Sequence, residues 1–510
     1  MLKENVRIRR AAGLILFLAL AVGVAVRYQH PKGSSNRTVQ LASVAGDAAT
    51  TASVQPTNAR LSLALTNVPR PPNIIFILAD DLGYGELGCY GQTKIKTPNL
   101  DKMAEEGMRF TSFYAGSTVC APSRAALMTG FHTGHAGIRG NADNMPLTPS
   151  DVTVATLLKK AGYHTTLIGK WGLGNHGTTG VPNRQGFDEY VGYLDQTHAH
   201  DYYTDRLWRF DPNSGYDAEM VFPENQGKKG LYMPDVFTTS ALNYLRINAP
   251  SETTPHPPFF LYLAYNIPHA NNEEGRRTGN GMQVPNDQPY SGESWPQTEK
   301  NKAAMITRMD AEIGQILAKL KECKMESNTI VFFASDNGPH KEGGVDPAFL
   351  QSSGPLRGIK RDLYEGGIRV PMIARWPGNI RPGSVNQQMW AFWDFLPTAA
   401  ALAGAPAVTN VDGISFLPTL LGKTQTNRHD FLYWEFHEAG FKQAARTNDW
   451  KAVRTKAGAP LELYDLKTDL SEKHDVAKEN AALVQQIEAN LKATRTDSAA
   501  WPIKTESEKK

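Results

Sequence analysis

The chain has 510 residues, 41% of them hydrophobic and 21% charged, a balance that excludes wholesale disorder. Lys and Arg number 54 against 51 Asp and Glu, a formal net charge of +3, so no overall field draws the chain to nucleic acid. Its three cysteines, Cys89, Cys120 and Cys323, exclude a disulfide framework and form no CxxC pair for zinc or redox chemistry.

At the N-terminus, Arg7, Arg9 and Arg10 precede an uncharged apolar run over residues 11–26. A basic flank before such a run is the pattern of a signal peptide, assigned to residues 1–28. It implies export to the periplasm or cell exterior. The alternative is an uncleaved anchor that tethers the chain to a membrane through residues 11–26, although the run is shorter than the roughly 20 residues that span a bilayer comfortably. Residues 29–70, rich in Ser, Thr, Ala, Gln and Asn with no apolar period, read as a flexible low-complexity linker.

The run over 74–79 predicts a strand buried on both faces. Thr97 and Pro98 open a helix through 108, and Pro122 with Ala125, Ala126, Leu127 and Met128 favours a helix starting near Cys120. Ser150 is expected to cap a helix over 152–161, which Gly162 ends, and a strand follows over 163–169. Further strands are predicted over 259–265, 329–334 and 368–376. Met305, Met309, Ile313, Ile316 and Leu320 give residues 300–321 helical spacing. Alternating strands and helices argue for an α/β fold, a large mixed, mostly parallel sheet sandwiched by helices, over 71–406. From 407 the character changes to short strands at 431–436, 451–455 and 461–464 and a helix at 481–491. This is read as a smaller C-terminal α+β subdomain over 407–497, before a charged tail over 498–510.

In such sheets ligands bind beyond the carboxyl ends of the strands. Asp80-Asp81, Lys170, His269 and Asp336-Asn337 all follow predicted strands. The two acidic pairs offer only oxygen, which selects a hard cation, calcium or magnesium, over zinc. Either pair alone is as well explained as a turn; two pairs at two strand ends shift the balance toward metal. Cys120 falls at a predicted helix N-terminus, where the dipole stabilises negative charge. Arg124, one turn on, shares its face and is suited to hold an anion there. Cys89 and Cys323 read as small buried hydrophobes.

Cys120-Ala121-Pro122-Ser123-Arg124 is also the Cys-x-Pro-Ser-Arg signature of the type I, formylglycine-dependent sulfatases. Residues 73–90, 97–110, 169–171, 334–338 and 358–371 resemble that arylsulfatase-like family, within the alkaline phosphatase superfamily, in the expected order. The resemblance runs over about 72–475. It implies that a maturation enzyme converts Cys120 to Cα-formylglycine, whose hydrate binds one calcium ion, rather than magnesium, and attacks the sulfur of a sulfate ester. By the same resemblance Asp80, Asp81, Asp336 and Asn337 match the calcium ligands, with the modified Cys120 completing the shell. Arg124, Lys170 and Lys360 match the sulfate-binding cations. His269 matches the histidine that contacts sulfate and protonates the leaving group.

One position departs from the family pattern. Gly172 stands where the family carries a histidine that contacts the formylglycine hydroxyl. His176 and His200 are the nearby substitutes, and His200 is preferred because residues 185–208 resemble a bacterial variant with a histidine aligned there. His132, His135, His340 and His437 are assigned packing or surface roles, with His135 close to the signature helix. The substrate expected is a sulfated carbohydrate, with an aryl sulfate as an artificial one. Tyr202, Tyr203, Trp208, Tyr290 and Trp295 fall in loop-like stretches, where they stack on a sugar ring or pack against the scaffold. Two alternatives stand beside this reading. One is a phosphate or phosphonate ester hydrolase on the same scaffold; the other is a non-catalytic sulfated-glycan-binding protein, which the loss of the histidine at Gly172 favours.

Overall fold

The computed structural model describes residues 70–142, 145–211, 215–250, 256–438 and 440–503. The signal or anchor over 1–28, the linker up to residue 69 and the end of the charged tail lie outside the described residues. Among the described residues no helix is long and apolar enough to cross a membrane.

Among the described residues the central sheet has ten strands. Five parallel ones form its middle, in the spatial order Thr329–Ser335, Asn73–Ala79, Phe259–Ala264, His164–Lys170 and Glu189–Tyr193. Met372–Arg375 runs antiparallel beside Thr329–Ser335, with Met108–Phe110 and Ser384–Asn386 beyond it. The hairpin Arg206–Asp211 and Tyr216–Val221 forms the opposite edge.

Side chains alternate across a strand, so a run apolar at every position needs cover on both faces. Ile74, Phe76 and Leu78 enter one core with Phe260, Tyr262, Phe332, Leu127 and Phe395. Ile75, Ile77 and Ala79 enter the other with Leu261, Leu263, Phe333 and the inner face of the helix Gln297–Glu322, where Met305, Met309, Ile313 and Ile316 lie. The predicted helical spacing is therefore the stripe that seals this face. All five central strands end on one rim.

Several predicted boundaries move. The cap of the helix Val154–Lys160 is Thr153, whose hydroxyl accepts the Thr156 N–H at 3.0 Å. Ser150 instead lies in a turn, its hydroxyl 2.8 Å from that of Thr148. The strand predicted over 368–376 shortens to Met372–Arg375, because residues 365–368 form a helical turn. Trp208 belongs to a strand rather than a loop.

The strands Leu432–Phe436, Lys442–Thr447, Trp450–Arg454 and Glu462–Asp465 form a separate four-stranded antiparallel sheet. One face packs on Ile487 and Leu491 of the helix Ala481–Ala493. The other, with Trp434, Ala444 and Val453, packs on Val119, Ala126 and Trp393. This sheet therefore buttresses the helix that begins at Cys120. The strand Lys442–Thr447 had no apolar signature because its buried polar residues are bonded: Arg446 Nε donates to Tyr114 Oη at 3.1 Å and Gln443 Nε2 to Tyr433 Oη at 2.9 Å.

A buried ionic cluster joins this sheet to the helical turn that begins at Glu365. Lys451 Nζ donates to Glu365 Oε1 at 2.9 Å, and the Glu365 N–H donates to Glu472 Oε2 at 2.8 Å. Burial, partly offset by Lys451 and reinforced by the Glu365 charge, pushes Glu472 up to about 8. A carboxyl raised above its unfolded value of about 4.3 stabilises the fold fully below that value. The contribution is lost as pH rises through 8. Glu472→Gln has no proton to lose, so its urea midpoint relative to the parent is expected to climb between pH 6 and pH 9. A difference constant across that range counts against the assignment.

Candidate active site

The site is built on the rim where the parallel strands end. Asp80 and Asp81 follow Asn73–Ala79, Lys170 closes His164–Lys170, His269 follows Phe259–Ala264, and Asp336 and Asn337 follow Thr329–Ser335. The helix Cys120–Thr129 faces them with every residue buried. Its first turn is capped from outside, the Ala121 N–H donating to Asn141 Oδ1 at 2.9 Å. Its end is closed by Gly130 at φ 77°, a left-handed conformation that glycine adopts without strain.

Cys120 Sγ lies 3.3 Å from Asp80 Oδ1, and Lys170 Nζ holds Asp80 Oδ2 at 2.6 Å. Lys360 Nζ holds Asp81 Oδ2 at 2.7 Å and meets His269 Nε2 at 3.1 Å. Arg124 donates through Nε and Nη2 to Asp336 Oδ2 at 3.0 and 2.8 Å, and through Nη1 to the Lys170 carbonyl at 2.8 Å. Asp336 Oδ1 accepts the Asp81 N–H at 3.0 Å, and Asn337 Nδ2 donates to Asp81 Oδ1 at 2.7 Å. Asp81 is held at φ 65°, an uncommon left-handed conformation that a short polar side chain tolerates. Asp80, Asp81, Arg124, Lys170, Asp336 and Asn337 are wholly buried, so three carboxylates and the facing cations share one desolvated pocket.

Burial alone would raise Asp80, but Lys170, with Arg124 and Lys360, holds it well below the carboxylate range. Asp336 moves the other way, to about 7, through burial and the neighbouring Asp80 charge. The Cys120 thiol is pushed well above its ordinary value by burial and by Asp80. The dipole expected to favour a thiolate is therefore overridden, and Cys120 carries its proton here. His269 is driven well down by burial and Lys360, which makes it neutral. Its Nδ1 donates to the Ala270 carbonyl at 2.8 Å, leaving the Nε2 lone pair toward Lys360.

The two histidines weighed against Gly172 separate clearly. His200 stacks on His269, ring centroids 4.7 Å apart at 12°, and its Nδ1 meets Glu273 Oε2 at 2.9 Å. His176 is exposed and stacks on Trp208 at the sheet edge. Gly172 sits at φ 76°, and a Cβ there would come 2.3 Å from Gln196 Nε2. A side chain at 172 is thus strained by this backbone conformation and displaces the end of the Gln196 side chain.

The family model described as Sulfatase matches residues 72–405, and that described as N-sulphoglucosamine sulphohydrolase, C-terminal, matches residues 359–497. The chain belongs to the sulfatase family. It is 35% identical to N-acetylgalactosamine-6-sulfatase of Sus scrofa over 398 residues, 73% of this chain and 70% of the relative. It is 30% identical to N-acetylgalactosamine-6-O-sulfatase of Bacteroides thetaiotaomicron over 500 residues, 83% and 93% of the two chains. Among solved structures, Ps i-CgsB in complex with k-i-k-neocarrahexaose superposes with a TM-score of 0.71 at 29% identity, covering 86% of this chain and 96% of that one. As a sulfatase the protein is a sulfuric ester hydrolase.

The sulfatase pocket fits a cation. Ligand atoms of Asp80, Asp81, Cys120 and His269 lie within 4.8 Å of one another, and Asn337 Oδ1 is buried without a hydrogen-bond partner. Such an orphaned acceptor beside crowded carboxylates is what a bound positive ion would satisfy. Of these donors the Cys120 thiol and the His269 nitrogen are the two that a hard ion does not favour. A second cluster, His132, His135 and Asp412, is different. His132 Nδ1 accepts the Gly134 N–H at 3.1 Å, which puts its proton on Nε2 and removes the lone pair a metal needs.

Some residues around the sulfatase site had no local signal. Glu342 Oε2 stands 3.5 Å from Lys360 Nζ, and His340 is fixed between the Pro268 carbonyl and the Glu342 N–H. The aromatic residues divide. Tyr202 is buried with its hydroxyl on the His269 carbonyl at 2.6 Å, and Tyr290 is buried with its hydroxyl bonded to Thr307 at 2.7 Å. Both pack against the scaffold rather than standing open to a sugar. Cys323 and Cys89 are only partly buried, not core hydrophobes.

Proposed function

We propose that this sulfatase cleaves a sulfate ester on a sulfated carbohydrate, using a formylglycine hydrate made from Cys120 by a maturation enzyme and one calcium ion. The reading rests above all on one arrangement: the buried Cys120 side chain lies against Asp80 with Lys170, Lys360 and Arg124 converging around it. Asp80, Asp81, Asp336 and Asn337 would hold the ion, and an oxygen in place of Sγ would make the donor set wholly hard. The hydrate and the ion supply an oxygen nucleophile and charge neutralisation at the sulfate.

The side chains then divide the work. Lys170, Lys360 and Arg124, all buried, lower the cost of the negative charge that gathers on the sulfate oxygens. His269 and Lys360 share a hydrogen bond between Nε2 and Nζ, so this pair is the source of the proton for the departing alcohol oxygen. His200 takes the role vacated at Gly172. A carbohydrate substrate is supported by the N-acetylgalactosamine sulfatases and the carrageenan-oligosaccharide complex among the relatives. We further propose that residues 1–28 export the protein or anchor it, that 29–70 link them to a catalytic domain over 71–406, and that 407–497 form the C-terminal subdomain.

The test compares sulfate and phosphate esters of one leaving group, for example 4-nitrophenol, with and without chelator. The expected result is a higher kcat/KM for the sulfate ester that chelation lowers and calcium restores. Preference for the phosphate ester would establish the alternative hydrolase, and turnover of neither ester or of sulfated oligosaccharides would establish a binding protein.

A further inference from the structure

The His200 ring has two nitrogens on opposed edges, and the environment distinguishes them. Nδ1 meets Glu273 Oε2 at 2.9 Å, on a side chain that is half exposed, whereas the His200 side chain is only 14% exposed. Glu273 holds the Nδ1 edge, the face of the ring stacks on His269, and the Lys170 and Lys360 charges act on the ring. The segment that carries His200 is tied to the His269 loop from both sides. Asn266 Nδ2 donates to the Ala199 carbonyl at 2.8 Å, and Tyr202 Oη donates to the His269 carbonyl at 2.6 Å. Glu273 is itself oriented. It lies in the first turn of the helix Asn272–Thr278, which Asn271 caps, and its Oε1 accepts from Arg276 Nη2 at 2.9 Å.

We propose that Glu273 is a positioning residue: its carboxylate accepts the Nδ1–H of His200 and thereby presents the His200 Nε2 lone pair to the sulfate pocket. A neutral imidazole carries one proton, and a carboxylate at Nδ1 decides which nitrogen has it. A half-exposed carboxylate contributes little to stability through a single hydrogen bond from a neutral ring, so a purely structural role predicts only a small effect on its removal. The proposal rests on the assignment of His200 to the site given above.

The experiment uses the full chain with matured Cys120, an aryl sulfate ester as probe, and the variants Glu273→Ala, Glu273→Gln, His200→Ala and the Glu273→Ala/His200→Ala double variant. Glu273→Ala is expected to lower kcat by about 10- to 100-fold with KM little changed, the usual scale for removing an outer partner that orients a site histidine. Glu273→Gln, which keeps an acceptor oxygen, is expected to recover most of that loss. The double variant is expected to match His200→Ala alone, because Glu273 acts only through His200. Selective 15N labelling of histidine should give His200 as the Nδ1–H tautomer in the parent and a shift toward Nε2–H in Glu273→Ala. This readout does not depend on turnover. Unchanged kcat in Glu273→Ala, losses that add in full in the double variant, or an unaltered tautomer would each overturn the proposal. A parent that fails to hydrolyse the ester would instead overturn the functional reading, and the tautomer measurement separates the two.

Discussion

Replacing Cys120 with alanine is expected to remove sulfate-ester turnover by a factor on the order of 10⁴ or more, the scale at which an enzyme loses its covalent nucleophile. The substitution removes one sulfur from a wholly buried helix start and leaves Asp80 paired with Lys170. The fold should therefore survive with a change of about 1 kcal/mol. Serine in the same place tests a sharper point. It supplies an oxygen near Asp80 but no aldehyde, so it should also be inactive if a hydrate is the nucleophile. Mass spectrometry of the tryptic peptide over residues 110–124 completes the test, since formylglycine and cysteine differ in mass. An unmodified thiol in fully active protein would refute the mechanism, and so would a Cys120→Ala variant as active as the parent.

The second large effect is expected at Arg124. Its guanidinium is wholly buried, contacts Asp336 through two nitrogens and donates to the Lys170 carbonyl. Arg124→Met leaves the Asp336 carboxylate in a desolvated pocket with its partner gone, and breaking a buried pair from one side costs about 3–5 kcal/mol. The loss should appear in urea unfolding of the calcium-free protein and shrink when calcium is added, because the ion would replace part of the missing positive charge. Arg124→Lys should recover charge but not the forked contact, leaving stability and kcat/KM between the two. Arg124 lowers the Asp336 carboxyl, which already stands near 7, so its removal raises that carboxyl further. The destabilisation should be full at alkaline pH and shrink as Asp336 takes up a proton. A stability equal to the parent's at alkaline pH would refute the pairing.

These effects follow from features of different legibility. The uninterrupted apolar runs of the central strands required two covering layers, and the polar groups directly after them required a rim where water or ligand is met. Each inference needs only neighbouring residues. The same is true of the helix beginning at Cys120, where Pro122 and the alanines that follow set the local conformation. The strands Lys442–Thr447 and Tyr216–Val221 were not legible. The first buries Arg446 on Tyr114, far along the chain, and Gln443 on Tyr433 of the neighbouring strand, and the second lies mostly exposed on a sheet edge. The first displays no apolar alternation; the second alternates Tyr216, Ala218 and Met220 with Asp217 and Glu219 but buries little of that face.

Charge was the other quantity that local reading misjudged. A cysteine at a helix N-terminus suggests a thiolate, yet burial and Asp80 keep this one protonated. The carboxylate came from a segment forty residues earlier, and its effect depends on exclusion of water that sequence does not state. Glu273 is the extreme case. On its own it is one more acidic residue in a short helix, and only folding brings it across 73 positions to His200.

By itself the sequence determined the layered α/β plan, the signature helix and the chemical character of the rim, because periodicity and residue type act over a few neighbours. It also carried the family, through motifs whose order survives in the chain. Tertiary structure alone decided which carboxylate each cation neutralises, which histidine stands beside His269, and which groups keep their protons. Those outcomes depend on distance and desolvation between segments remote in sequence, and electrostatic energy varies steeply with both.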